Sequence, residues 1–200
     1  MQWLIGIDEA GRGALAGPVC VGAVLYPANF DWKEAFSLVT KRGAPVLRDS
    51  KQLSPQQRDI LYEYIIMHGR LKYATALVGA DTIDVIGIVN ACHEAAATAI
   101  MELNVQPTRV RVLLDAGLRV PSKWEQESFI RGDETIPAIA FASIVAKVTR
   151  DRHMEELSDS YRAYNFAQHK GYGTDQHFRA IQGHGISIIH RRTFLGLQSR

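Results

Sequence analysis

Two adjacent carboxylates, Asp8 and Glu9, stand between the apolar segment of residues 3–7 and the turn Gly11-Arg12-Gly13. Binding sites of α/β sheets favour such strand ends. Adjacent residues on a regular strand face opposite sides, so the strand must bend, bulge or end at this pair for both carboxylates to reach one site. The nearby glycines favour a bend, because glycine tolerates many backbone conformations.

Two more carboxylates lie beside apolar runs. Asp115 ends the run 110–114, and Asp133 follows Gly132 in a turn just before the run 136–141, which we predict to be a strand. Taken alone, each acid is better explained as a turn residue. Gathering all four carboxylates is costly unless cations neutralise them. Oxygen ligands without Cys or paired His suit Mg²⁺ or Mn²⁺, which would activate water and stabilise the leaving oxygen during attack on a phosphodiester.

The elements that must position these acids follow from the pattern of apolar residues. Closely connected strands over 3–7 and 19–26 predict an antiparallel pair, and a third strand is expected over 71–78. A Ser-Pro start predicts a helix over 54–67. Further helices are expected over 86–103, 143–157 and 174–182.

This order of elements predicts an α/β fold in which helices flank a mixed central sheet. The 200 residues fit a single domain over 1–200, in which residues from about 159 to 200 form a small helical C-terminal extension. No run approaches the ~18 consecutive apolar residues of a membrane span, so we expect no membrane association.

Charge and cysteine content bear on partner and compartment. Residues 142–200 carry nine Lys/Arg against five Asp/Glu, which suits a basic portion that contacts phosphates, although taken alone the charge is better explained by a solvated basic helix face. The two cysteines lack metal-binding spacing and favour a reducing compartment, so we expect buried free thiols in a cytoplasmic protein.

Several blocks of sequence together carry a family resemblance. The stretch Gly6-Ile7-Asp8-Glu9-Ala10-Gly11-Arg12-Gly13 resembles the opening signature of the type 2 ribonucleases H, and in particular of the bacterial ribonucleases HII. Further blocks follow in the family order at residues 49–54, 115, 132–133, 142–151, 169–174 and 184–185. The resemblance therefore covers nearly the full chain.

The resemblance implies a ribonuclease H-like fold in which Asp8, Glu9, Asp115 and Asp133 are the catalytic, metal-binding carboxylates, with two divalent cations during catalysis. It implies an endonuclease that hydrolyses the RNA strand of RNA/DNA hybrids and cuts at ribonucleotides embedded in duplex DNA. The products would carry 5′-phosphate and 3′-hydroxyl ends. The implied partner is nucleic acid, and we expect the protein to act as a monomer.

The resemblance also implies which residues contact the substrate. The backbone of Gly11, Arg12 and Gly13 would meet the ribonucleotide 2′-hydroxyl, and Tyr172 would pack against the neighbouring sugar. The residue types agree, because glycines let a backbone approach a ligand closely and the 2′-hydroxyl distinguishes RNA from DNA. The alternative for Tyr172 is an ordinary half-buried aromatic side chain.

Basic residues of the matching blocks are candidates for phosphate contacts, namely Lys51, Lys147, Arg150 and Lys170. An ion pair with Asp151 explains Lys147 equally well, and a surface role explains Arg150 equally well. His184 and His190 either donate hydrogen bonds to phosphates or pack against helices, and we leave them outside the site.

Two other functions compete with this interpretation. Another metal-dependent nuclease of the same fold would share the acidic cluster but should lack the glycine turn and Tyr172. A hybrid-binding protein without catalysis is disfavoured because all four acids are present.

Overall fold

The structure, a computed structural model, describes residues 3–40 and 52–197. Its centre is a five-stranded mixed sheet with the order β3-β2-β1-β4-β5. The strands are β1 (Trp3–Ala10), β2 (Val19–Pro27), β3 (Lys72–Val78), β4 (Val110–Asp115) and β5 (Glu125–Phe129). β1 pairs antiparallel with β2 and parallel with β4, and β2 pairs antiparallel with β3. The predicted antiparallel pair, the third strand and the mixed sheet are therefore confirmed.

Helices cover both faces of the sheet. They are α1 (Trp32–Ser37), α2 (Pro55–Met67), α3 (Ala80–Ile86), α4 (Ile88–Glu102), α5 (Gly132–Thr135), α6 (Pro137–Ser160), α7 (Phe166–His169) and α8 (Asp175–His184). α4 shares one core with Val19, Val21, Ala23 and Leu25 of β2. α6 and α2 share the other core with Val24 and Tyr26. Because both faces are covered, every residue of β2 is buried.

Local sequence explains why several helices begin where they do. The side chain of Ser54 accepts a hydrogen bond from the N–H of Gln57, and the Gln57 side chain accepts one from the N–H of Ser54. This capping box, with Pro55 at the first helical position, confirms the predicted start of α2. The predicted helix over 174–182 is also confirmed, with Thr174 as its N-cap.

The predicted strand over 136–141 is wrong. Those residues enter α6, which begins at Pro137 and is buried without interruption from Ala138 to Ala146. A short apolar run that is buried on all sides has the same hydrophobic pattern in a helix as in a strand, so periodicity does not distinguish them. The turn predicted at Asp133 is wrong as well, because Asp133 lies in the short helix α5.

Three further features differ from the sequence-based expectation. β5 is an edge strand of mostly polar residues paired with β4, and α1 follows a capping Asp31. The amphipathic helix expected over 86–103 is confirmed as α4, but it begins at Ile88 because Gly87, with φ of 80°, separates it from an additional helix, α3. Within residues 3–40 and 52–197 no single helix is long and apolar enough to cross a membrane; α3 and α4 meet that test only as a pair, which is bent by 119°.

The chain after α6 packs back onto it. Tyr164 and Phe166 form a small cluster with Met154 of α6 and with Ala16 from the loop that joins β1 to β2. This contact brings the C-terminal helices next to the glycine turn that follows β1.

Candidate active site

Three carboxylates meet at one edge of the sheet. The pairing of β1 with β4 ends at Ile7, opposite Leu114, so Asp8 and Glu9 extend just beyond that ladder and Asp115 ends the neighbouring strand. Each of these three acids offers an oxygen within 4.8 Å of the other two. The register between β1 and β2 runs without an insertion to Ala10, so no bulge separates Asp8 from Glu9. At this pair of acids the pairing of β1 with β4 has ended, whereas its pairing with β2 continues to Ala10.

Most predicted site residues line one cavity of about 450 Å³ at this edge. They are Asp8, Glu9, Gly11, Arg12, Gly13, Asp115, Asp133, Lys147 and Tyr172. Asp133 is buried and lines the cavity from α5, outside the trio whose oxygens lie within 4.8 Å of one another. The cavity thus combines acidic, basic and aromatic side chains with the backbone of the glycine turn.

Burial governs the electrostatics of the cluster. It raises the pKa of Asp8 well above its usual value, and the neighbouring charges of Glu9 and Asp115 raise it further. Hydrogen bonds from the Ser143 side chain and from the N–H of Glu9, the latter at 2.7 Å, oppose this rise. Burial also raises the pKa of Glu9, against the lowering influence of Arg12. The ionised cluster therefore lacks sufficient compensating positive charge from the protein alone.

One oxygen of Glu9 supports a cation site directly. Its Oε1 accepts a hydrogen bond from Arg12 Nη1 at 3.2 Å, while its Oε2 is buried and has no hydrogen-bond partner among the residues that the structure describes. An unsatisfied buried carboxylate oxygen is costly, and a hard divalent cation is a natural partner for it. The residues present therefore fit a divalent metal.

The glycine turn is held firmly on one side and open on the other. Gly11 has φ of +86°, and a Cβ there would lie 1.9 Å from Nε of Arg150, so only glycine fits. Gly13 is exposed, and a Cβ there would meet nothing within 4 Å. The turn can therefore present backbone to a ligand at Gly13.

Tyr172 is half-buried, and its ring lies close to two cations. Lys147 Nζ is 5.4 Å and Arg150 Cζ is 5.3 Å from the ring centroid. The preceding Gly171 accepts hydrogen bonds at its carbonyl from the N–H groups of Leu15 and Ala16, at 2.8 and 3.2 Å. The segment that carries Tyr172 is thereby joined to the loop that carries the glycine turn.

The candidate phosphate ligands divide among different environments. Lys147 lines the cavity and also forms the alternative ion pair, at 2.8 Å from Asp151. Lys170 lies elsewhere, with Nζ donating to Glu155 at 2.7 Å and to the carbonyl of Ala167, beside a separate depression. Lys51 lies outside the described residues.

The surface role considered for Arg150 is wrong, and its guanidinium is not available to a phosphate. The side chain is fully buried and donates to the carbonyls of Pro18, Ala16 and Lys170 at 2.8, 3.2 and 2.9 Å. No local sequence signal marked this burial, because the carbonyls of Pro18 and Ala16 come from a distant part of the chain.

Sequence reasoning also missed Ser143 as a site residue. It is buried, lines the cavity and bonds to Asp8. The signal for it was its spacing of four from Lys147, which puts both side chains on one face of α6.

Both cysteines are free and buried, as expected, and burial raises the pKa of each thiol to about 12. They are therefore inert thiols that belong to the core.

Comparison with known proteins gives concordant matches. The family model described as Ribonuclease HII matches residues 5–196. A ribonuclease HII of Endomicrobium trichonymphae is 43% identical over 190 residues, which are 94% of this chain and 83% of that protein. The crystal structure of ribonuclease H2 from Pyrococcus horikoshii OT3 superposes with a TM-score of 0.72 at 27% identity, over 96% of this chain and 93% of the other. The structure of Bst-RNase HIII in complex with Mn²⁺ shares the fold, with a TM-score of 0.64 at 16% identity over 92% and 63% of the two chains.

Proposed function

This chain belongs to the ribonuclease HII family, and from that premise we propose that its acidic cavity is the active site of an endonuclease for RNA within DNA. The enzyme hydrolyses the RNA strand of RNA/DNA hybrids and cuts at ribonucleotides embedded in duplex DNA, leaving 5′-phosphate and 3′-hydroxyl ends. The observation that carries the proposal is that one cavity is lined by four acids, the glycine turn and Tyr172. A general nuclease needs the acids, whereas selection of RNA needs a surface for the 2′-hydroxyl.

Enzymes of this family depend on metal, and we propose Mg²⁺ or Mn²⁺, with two ions during catalysis. Asp8, Glu9 and Asp115 would hold them, with Asp133 completing the set from α5. The support is a donor set made only of carboxylates, with a buried Glu9 oxygen that has no hydrogen-bond partner in the described part of the chain. When bound, such ions activate water and stabilise the leaving oxygen. Mn²⁺ is bound in the related Bst-RNase HIII structure.

The chain's own residues prepare the acids for this role. Ser143 donates a hydrogen bond that favours the ionised form of Asp8, and Arg12 does the same for Glu9. Both contributions oppose the desolvation that raises the two pKa values. The N–H of Gly132 donates to Asp115 Oδ1 at 2.8 Å and fixes the orientation of that carboxylate.

We propose that the backbone of Gly11, Arg12 and Gly13 contacts the 2′-hydroxyl and that the ring of Tyr172 packs against the neighbouring sugar. The exposed backbone at Gly13 and the position of Tyr172 on the same cavity support this.

Lysines would bind the phosphates that flank the scissile bond. Lys147 would contact one of these phosphates from inside the cavity, where its ion pair with Asp151 fixes the position of the ammonium group. Lys51 and Lys170 are proposed for phosphates farther along the duplex; Lys170 would act from outside the cavity, where it bonds to Glu155.

Cleavage of three otherwise identical duplexes tests the proposal: all-DNA, DNA with one ribonucleotide, and a continuous RNA/DNA hybrid, each with Mg²⁺, Mn²⁺ or a chelator. We expect cuts in the two RNA-containing duplexes with either metal, and none with the chelator. Equal cleavage of the all-DNA duplex would identify a general nuclease instead. Tight binding without cleavage in either metal would identify a hybrid-binding protein.

We also propose that the protein acts as a monomeric, single-domain enzyme in the cytoplasm, with residues 159–200 as a helical extension. One chain supplies all four acids of the cavity, both thiols are free, and Tyr164 and Phe166 pack the extension onto α6. Light scattering of the purified enzyme and fractionation of cells test the first and last of these statements.

A further inference from the structure

A chain of three hydrogen bonds runs through the buried space beneath Tyr172. The N–H of Ser187 donates to Nδ1 of His190 at 2.9 Å, the Nε2 atoms of His190 and His177 are 3.1 Å apart, and Nδ1 of His177 lies 3.0 Å from the carbonyl oxygen of Tyr172. Both histidine side chains are almost fully buried. Of these four residues only Tyr172 lines the acidic cavity.

The direction of each hydrogen bond is fixed by its two ends. A backbone N–H can only donate, so Nδ1 of His190, which also faces the Ser187 hydroxyl at 2.8 Å, is an acceptor and its proton sits on Nε2. A carbonyl can only accept, so His177 carries its proton on Nδ1 and accepts at Nε2 from His190. The two imidazoles are therefore opposite tautomers, and both are neutral.

Neighbouring rings hold this arrangement in place. His169 stacks on His177 with centroids 4.4 Å apart, and its Nδ1 accepts from the N–H of Gly171 at 3.3 Å. Its Nε2 therefore donates to the carbonyl of Tyr164, at 2.7 Å. An additional proton on any of the three rings would face an existing N–H donor. Burial lowers the pKa of His177 and lowers that of His190 to about 4, in agreement with neutral rings.

We propose that His177 is a positioning residue for Tyr172, and that its Nδ1–H sets the main chain from which the substrate-contacting ring projects. The inference rests on the proposed role of Tyr172 at the sugar beside the cut. Apart from His177, the Tyr172 carbonyl accepts only the short-range bond from the N–H of Thr174, at 2.8 Å, among the described residues. Lys170 and Gly171, just before it, both have positive φ. Arg150 holds the carbonyl of Lys170, the N–H groups of Leu15 and Ala16 hold that of Gly171, and His177 holds that of Tyr172 itself.

Two matched substitutions separate positioning from packing. In His177→Asn the amide nitrogen can take the place of Nδ1 and donate to Tyr172, while in His177→Gln the amide lies near the place of Nε2 and keeps the bond to His190. Each variant keeps one of the two hydrogen bonds and removes one titrating ring. A packing role predicts similar losses in the two variants.

Cleavage kinetics on a duplex with one ribonucleotide are the test, with melting temperature measured in parallel. We expect His177→Gln to lose about tenfold to a hundredfold in kcat with little change in KM, because a displaced ring misaligns the bound junction. His177→Asn should retain most of the wild-type kcat at a similar melting temperature. Equal kcat in the two variants, or a lower value in His177→Asn, overturns the inference.

Two controls keep this result separate from the proposed function. If Tyr172→Ala cleaves the duplex as fast as the wild type, the role of Tyr172 itself fails, whatever the His177 variants do. The second control is nitrogen NMR of the imidazoles in the wild-type protein, which does not depend on whether a variant folds. His177 should show the Nδ1–H tautomer, and His169 and His190 should show the Nε2–H tautomer. An Nε2–H tautomer at His177 removes the bond to Tyr172 and overturns the inference.

Discussion

Arg191 donates a hydrogen bond from Nη1 to the carbonyl oxygen of Arg12 at 2.9 Å, although 179 positions separate the two residues. Its Nε donates to the carbonyl of Gly17 at 3.0 Å, and the side chain is fully buried. The C-terminal region thus supports the glycine turn directly, just as His177 supports Tyr172. Burial and the nearby charge of Arg150 lower the pKa of Arg191 to about 9.

Arg191→Lys should lower both stability and cleavage. An ammonium group cannot reproduce the planar fork that serves two carbonyls at once, so a buried acceptor loses its donor. We expect a loss of about 1–3 kcal/mol in the free energy of unfolding, measured with denaturant. The exposed Arg179→Lys on α8 is the matched control, and a loss of equal size there would contradict the assigned role.

Asp8→Asn should abolish cleavage and yet leave the metal-free protein at least as stable as the wild type. The pKa of Asp8 is raised by burial and, in addition, by the negative charges of Glu9 and Asp115. The substitution removes this buried charge and its repulsion from the two neighbouring acids. Thermal melting with and without Mg²⁺ or Mn²⁺ measures this. The ions should raise the melting temperature of the wild type but not that of the variant. A variant that is less stable without metal and still stabilised by it would argue against a metal at Asp8.

Asp133→Asn should have a milder effect than Asp8→Asn. Asp133 lines the cavity, but it is not among the three acids, Asp8, Glu9 and Asp115, whose oxygens lie within 4.8 Å of one another. We expect Mg²⁺-supported cleavage to fall strongly and Mn²⁺ to restore part of it, as measured by initial rates over a metal titration. Complete loss with both metals would place Asp133 on an equal footing with the other three acids.

The histidine cluster should make the protein less stable in acid. The pKa of His190 is lowered in the folded state, so the unfolded chain binds more protons and stability falls as the pH drops from about 6.5 towards 4. The raised pKa values of Asp8 and Glu9 act in the opposite direction, so the comparison must be with a variant that keeps both acids. His190→Asn should show a shallower decrease of melting temperature between pH 7 and 4. If the slope of melting temperature against pH is unchanged in this variant, protonation of His190 does not contribute to the loss of stability in acid.

Much of the acidic site could be predicted from the sequence, because its parts are local. Asp8, Glu9 and Asp115 each follow an apolar run near the carboxyl end of a strand, and the carboxyl ends of the neighbouring parallel strands β1 and β4 meet at one edge. The start of α2 at Ser54 is equally local, since a capping box involves only four residues.

The supports of the site could not be predicted in the same way. Arg150 and Arg191 look like surface residues in a sequence window, and they are buried because carbonyls from distant segments accept their hydrogen bonds. His177 also looks like a surface residue, and it is buried between the carbonyl of Tyr172 and the ring of His190. β5 was missed because edge strands need not be apolar, and its Glu127 pairs instead with Arg111 of β4.

The most direct test of the account is single-turnover cleavage of a one-ribonucleotide duplex in Mg²⁺ by the wild type and by Asp115→Asn. Glu125→Gln serves as the control, because it removes the same charge from an exposed position on the adjacent strand β5. We predict a cut next to the ribonucleotide by the wild type and the control, and a loss of at least about a thousandfold in Asp115→Asn, in keeping with removal of a metal ligand. Near-wild-type cleavage by Asp115→Asn would contradict the assignment of the acidic cavity as the active site.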